Sequence, residues 1–134
     1  TNLFIYQLDT SNPRKTAIAD GIIRKAIETA NACISYQVVQ ECLNTILRKA
    51  QVPLDVAGAR LYLDHVLNPL LKVPASSILF RRGLDIQERY QYGLYDSLII
   101  SAALEADCKR LFTEDMQDGQ RIGTLVIENP FADH

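Results

Sequence analysis

The chain has 134 residues, enough for one domain with a real core, and its 48% hydrophobic and 22% charged content is ordinary for a globular protein. A net charge of −2 excludes a strongly basic nucleic-acid coat but is compatible with an acidic site that binds cations. With only His65 and His134, a Ser-His-Asp triad and a His-rich zinc site are not expected. Cys33, Cys42 and Cys108 lie far apart without a C-x-x-C spacing, so they read as separate, buried, reduced thiols, which fits a cytoplasmic protein. No apolar run approaches the roughly 20 residues of a membrane span, and no signal peptide is visible.

Thr1–Leu8 reads as the first turns of a helix. An α/β domain usually begins with a strand, so further residues are expected before Thr1. Asn12-Pro13 is a helix start, with Asn12 as cap and Pro13 in the first turn. Ile18, Ile22, Ala26 and Ala30 then recur at four-residue steps, predicting a helix over Pro13–Thr29. Ala32–Ser35 reads as a short strand. The helix after it, Gln37–Ala50, carries an apolar stripe through Val38, Cys42 and Ile46, with Glu41 roughly opposite. Periodicity alone makes Glu41 a surface acid, although the first turns of a helix leaving a strand lie near the carboxyl edge of a sheet.

Gln51–Leu54, containing Pro53, is a break. Asp55–Leu67 reads as a helix ended by Asn68-Pro69. Leu70–Val73 is a candidate strand, Ser76–Tyr90 a helix, Leu125–Ile127 a last strand and Asn129–His134 a tail. Between them, Asp96 opens the apolar run Leu98–Leu104, a buried helix from about Tyr95 to Asp107. Lys109–Thr113 follows as a strand, and Glu114 and Asp115 come directly after it. Such a helix rises ~20 Å, and five or six extended residues return ~17–20 Å. Asp96 and Asp115 therefore meet at one edge, which in a parallel sheet is the carboxyl edge where ligands bind. The plainer alternatives are that Asp96 caps its helix and Asp115 belongs to a turn. The alternation of elements predicts an α/β fold, a three-layer α/β/α sandwich with a mostly parallel central sheet.

Four pieces, in this order and spacing, resemble the PIN-domain family and, within it, VapC-like toxins: Thr1–Tyr6; Val38–Glu41 with Asn44; Tyr95–Ile99 with the alanine-rich helix after it; and Leu111–Asp115 with Asn129-Pro130-Phe131. The resemblance covers nearly all of residues 1–134 as a single domain. It implies a carboxylate cluster of Glu41, Asp96 and Asp115, with Thr113 at the hydroxyl position before the last acid and Glu114 ranked below Asp115. The family's first aspartate would sit immediately before Thr1, on a strand central to the sheet, and this sequence lacks it. The implied protein is an endoribonuclease using Mg²⁺ or Mn²⁺. Asp96 would hold the metal directly, Glu41 and Asp115 would complete the cluster, and Thr113 would hold a carboxylate or the phosphate. Arg14, Lys15, Arg48, Lys49, Arg81 and Arg82 are candidate RNA contacts. The toxin subgroup further implies a cognate antitoxin and a homodimer formed through apolar surface near the first helices. The alternatives are a PIN nuclease of RNA processing and a catalytically defective binding module. A receiver-type signalling domain also clusters acids, but it needs a lysine after its last strand, and none follows Lys109.

Overall fold

The computed structural model describes residues 2–30, 32–48 and 54–132. The expectations placed on Thr1, Lys49, Ala50, Gln51–Pro53 and His134 lie outside them. Helix α1 (Asn2–Leu8) leads into α2 (Pro13–Thr29), which starts where the Asn-Pro pair predicts. The Asn12 side chain accepts a hydrogen bond from the Lys15 N–H at 3.2 Å, and Pro13, lacking an N–H, occupies a position that needs none. Strand β1 (Ile34–Ser35) passes directly into α3 (Tyr36–Arg48).

Helix α4 (Val56–Tyr62), capped by Asp55, does not stop at Asn68-Pro69 as the sequence suggests. It widens into a π-helical turn at Leu63–Leu67, closed by the Asn68 N–H donating to the Leu63 carbonyl, and continues as α5 (Asn68–Leu70). The physical reason is Pro69. Its ring crowds the carbonyl four residues back, and it has no N–H to offer, so the preceding turn opens.

Strand β2 (Leu71–Val73) pairs in parallel with β1. Helix α6 (Ser77–Tyr90), capped by Ser76, packs on α7 (Leu94–Glu105). A Cβ on Gly83 would come within 2.6 Å of Leu98 Cδ2, so the missing side chain permits this close approach. Strand β3 (Arg110–Phe112) pairs in parallel with β5 (Leu125–Glu128), which pairs antiparallel with β4 (Arg121–Ile122). The β4–β5 hairpin turns at Gly123, whose φ of 60° favours glycine.

The domain is α/β, and among the described residues two of the three strand pairings are parallel. The described strands fall into two hydrogen-bonded sheets, β1-β2 and β3-β5-β4, and the expected central parallel sheet is not clearly shown among them. Strands of two to four residues offer few backbone groups, and side-chain packing carries much of the connection between the sheets. One apolar cluster joins α1 to α5 around Phe4, Ile23, Cys42, Ile46 and Leu67. A second packs Ile100 and Ala103 of α7 on Ile122, Leu125 and Ile127. A third sets Val73 and Leu79 against Leu98 and Ala102. Ile100 and Ile127 are fully buried, each contributing about 1.5–3 kcal/mol by removal from water. The closing segment is no loose tail either. Phe131 is buried, its N–H donates to the Asn129 side chain at 2.9 Å, and its ring meets that of Tyr6 edge-on. No helix among the described residues is long and apolar enough to cross a membrane.

Candidate active site

Strand β3 delivers its end to one edge of the domain. The Thr113 N–H donates to the Glu128 carbonyl at 3.1 Å, extending the β3–β5 ladder one residue beyond the strand. The chain then turns. Thr113 Oγ1 accepts the Asp115 N–H at 3.2 Å, so this hydroxyl shapes the turn that presents the two acids.

Asp96 is the third residue of α7. It does not cap the helix: Gly93 occupies that position, with no side-chain bond to the first turn. Asp96 is therefore not the N-cap residue, although its carboxylate lies in the first turn, where negative charge suits the exposed N–H groups. Half-buried, the Asp96 carboxyl is pushed above the usual carboxylate range, first by loss of water, then by the charges of Asp115 and Glu41. No hydrogen bond or cation among the described residues opposes that push. The adjacent Ser97 is fully buried, and its hydroxyl finds no protein partner among the described residues.

Glu41 lies in the second turn of α3 and is also half-buried. What ties it to α7 is a residue that the sequence did not single out. Gln37, buried at 5% exposure, donates from Nε2 to Glu41 Oε2 at 3.2 Å and to the Tyr95 carbonyl at 3.1 Å. One amide thus fastens the helix bearing Glu41 to the residue preceding Asp96. The only available signal was its place one helical turn before Glu41, a common spacing for polar pairs.

Glu114 and Asp115 part company. Glu114 accepts from Tyr6 Oη at 2.5 Å and from Lys15 Nζ at 3.0 Å, and Lys15 also donates to Tyr6 at 3.1 Å. The Lys15 ammonium sits over the rings of Tyr6 and Phe131. Asp115 is exposed and receives one bond, from Asn2 Nδ2 at 3.1 Å. The structure thus brings Glu41 and Asp115 each within electrostatic reach of Asp96, with Thr113 behind the turn, and engages Glu114 elsewhere.

The basic candidates divide likewise. Lys15 is paired with Glu114, Arg82 forms an ion pair with Glu105 at 3.1 Å, and Arg14 donates to the Phe131 carbonyl at 2.8 Å. Arg48 and Arg81 are exposed. Beside Gln37 and Tyr95 runs an open apolar groove of about 350 Å³, walled by Tyr36, Phe80, Leu84 and Leu94.

Chemically, carboxylates are hard-oxygen donors, and the repulsion that Asp115 and Glu41 exert on Asp96 would fall on entry of a divalent cation. The donors suit such an ion in kind and charge. Among the described residues, however, no three His, Cys, Asp or Glu side chains are drawn together as a ready-made metal cage. Mg²⁺ needs few protein ligands because it keeps several waters.

The model of the PIN domain family matches residues 1–118, which include all four of these acids. No curated protein sequence matches the chain.

Proposed function

The chain belongs to the PIN domain family, whose fold is of nuclease type, and on that premise we propose that it is a Mg²⁺- or Mn²⁺-dependent endoribonuclease. The observation that carries this reading is Asp96, a half-buried carboxylate pressed by two neighbouring acids and compensated by no cation among the described residues. Asp96 would bind the ion directly, with Glu41 and Asp115 completing the cluster. Bound there, a divalent cation supplies an activated water and charge relief on the phosphate. Gln37 holds Glu41 toward α7 and so positions it. The Thr113 hydroxyl accepts the Asp115 N–H, and its part in this reading is to present Asp115. Arg48 and Arg81 are the exposed cations best suited to the RNA backbone.

The test is cleavage of RNA by the protein in Mg²⁺. Activity should vanish with chelator and fall at least ~100-fold in Asp96→Asn, a loss typical of removing a group that acts on the transition state. Equal cleavage by variant and wild type, both folded, would end this reading.

The apolar groove favours the toxin role within that activity. A small antitoxin could lay apolar side chains along Tyr36, Phe80 and Leu84 and extend a basic side chain toward the neighbouring acids. The exposed large apolar residues of the described chain lie outside α1 and α2, with Ile78, Phe80, Leu84, Leu94 and Tyr95 on α6 and α7. The first helices thus offer little apolar surface to a homodimer, and a dimer through α6 and α7 would compete with the antitoxin for Phe80 and Leu84. Copurification with a short partner supports the toxin role, and a harmless free monomer removes it while leaving the nuclease intact. In the RNA-processing alternative the nuclease acts without an inhibitor. A binding module would lack carboxylate-dependent ion affinity.

A further inference from the structure

We propose that Cys33 and Cys108 are a redox-active pair that closes reversibly to an intramolecular disulfide, independently of the nuclease reading. Read along the chain, the cysteines are isolated thiols. In the fold, the sulfurs of Cys33 and Cys108, 75 positions apart, meet at 3.3 Å. A disulfide requires about 2.05 Å, and the two sulfurs already face each other with no atom between.

Placement and access agree with this. Cys33 lies just before β1, and Cys108 lies in the turn between α7 and β3. That turn is made by Asp107, whose left-handed φ of 54° redirects the chain immediately before Cys108. Both thiols are half-buried, so a small oxidant can reach them, whereas Cys42 is sealed at 0% exposure and burial pushes its thiol up to about 12.

The two sulfurs also have unequal roles. The hydrogen bond from Cys108 lowers Cys33 to about 7, burial works against that, and the nearby Lys72 charge assists it. Cys108 is pushed up by the same bond, by burial and by the charges of Cys33 and Asp107. Asp107, next to Cys108 in the chain, disfavours a thiolate there, so Cys33 is assigned as the attacking sulfur and Cys108 as the resolving thiol.

With a hydroperoxide as oxidant, the Cys33 thiolate attacks the terminal oxygen. An S–O bond forms and the O–O bond breaks, leaving a sulfenic acid and, after protonation, water or an alcohol. Cys108 then attacks the Cys33 sulfur. The S–S bond forms, the S–O bond breaks, and the Cys108 proton leaves with the hydroxyl as water. In sum, two thiols lose two electrons and two protons, and the hydroperoxide takes up both. The new bond would join the β1–α3 unit to the α7–β3 unit at the end of α7 remote from Asp96. It would therefore stabilise the fold without touching the acids.

The experiment treats the full chain with stoichiometric hydrogen peroxide, alkylates the free thiols under denaturing conditions, and maps the peptides by mass. The expected result is a Cys33–Cys108 cross-linked peptide, the loss of two hydrogens from the intact mass, and Cys42 alkylated. Dithiothreitol should reverse the change. The oxidised protein should melt about 10 °C higher than the reduced one, as closure of a long loop implies. Cys33→Ser should abolish both effects, and should that variant not fold, the wild-type peptide map decides alone. Cys33 and Cys108 both recovered alkylated, a sulfinic acid on Cys33 without a cross-link, or a disulfide formed only between molecules would overturn the proposal.

Discussion

Glu114 and Asp96 sit at the same edge of the molecule and meet opposite electrostatic fates. Partial burial alone would push Glu114 up, but the hydrogen bonds from Tyr6 and Lys15, with the Lys15 charge, bring it below the usual carboxylate range. Asp96 is raised by burial and then by Asp115 and Glu41, with nothing pulling the other way. One acid is neutralised from within the chain by a lysine that is itself braced on two aromatic rings. The other, Asp96, meets no compensating cation among the described residues. Proximity to an edge therefore does not make an acid part of a cation site. The compensating partners decide, and Asn2 alone, a neutral amide, does little of this for Asp115.

After the loss expected for Asp96→Asn, the next largest effects should come from replacing each of the two neighbours in the turn. Asp115→Asn is expected to lower RNA cleavage by about 10–100-fold. Glu114→Gln, which keeps an acceptor for Tyr6, should leave cleavage within about threefold of wild type. Single-turnover rates measured on both variants, after matching their circular dichroism, decide the matter. A Glu114→Gln protein as inactive as Asp115→Asn would erase the distinction. A comparable effect is read in stability. If Asp96 holds the ion, Mg²⁺ at about 100 times its dissociation constant should stabilise the wild type by about 2.7 kcal/mol. Asp96→Asn should lose most of that gain and Glu114→Gln little of it. Urea midpoints with and without Mg²⁺ give the numbers, and equal Mg²⁺ stabilisation of all three proteins would mean the ion binds elsewhere.

How far these arrangements were legible beforehand depends on the range of the interaction. Helix α2 begins at Pro13 and α6 follows Ser76 because capping is local chemistry written in adjacent residues. The approach of Asp96 to Asp115 was legible for a similar reason. A helix followed by a returning strand brings the chain back toward its starting edge, and only α7, a turn and β3 lie between the two acids, although β3, at three residues, is shorter than the strand expected. Strand β4 went unread although Gly123-Thr124, set between Ile122 and Leu125, is a two-residue hairpin signal. The Tyr6–Lys15–Glu114 cluster could not be read, because it joins two helices to a loop about a hundred residues away and carries no periodic signature. Lys15 looked like surface charge for that reason. Gln37 is similar, an ordinary polar residue until α7 arrives to accept its second hydrogen bond.

The smallest predicted effect separates the two acids by the sign of a pH dependence, measured in chelator so that no ion intervenes. Asp96 has a folded pKa above its unfolded value. Its protonated form favours folding, so its contribution is full below the unfolded value and is lost as pH rises through the folded one. Glu114 has a folded pKa below its unfolded value. Its contribution is present above the unfolded value and is lost as pH falls through the folded one. Relative to wild type, Asp96→Asn should therefore gain stability as pH climbs out of the acid range, and Glu114→Gln should lose it over the same interval. Asp96 is only half-buried, so solvent screening should keep its difference under about 1 kcal/mol. Thermal melts at closely spaced pH values between the acid range and neutrality would resolve the two slopes. Slopes of the same sign would mean that Asp96 is compensated after all, and the case for an external cation would lose its electrostatic ground.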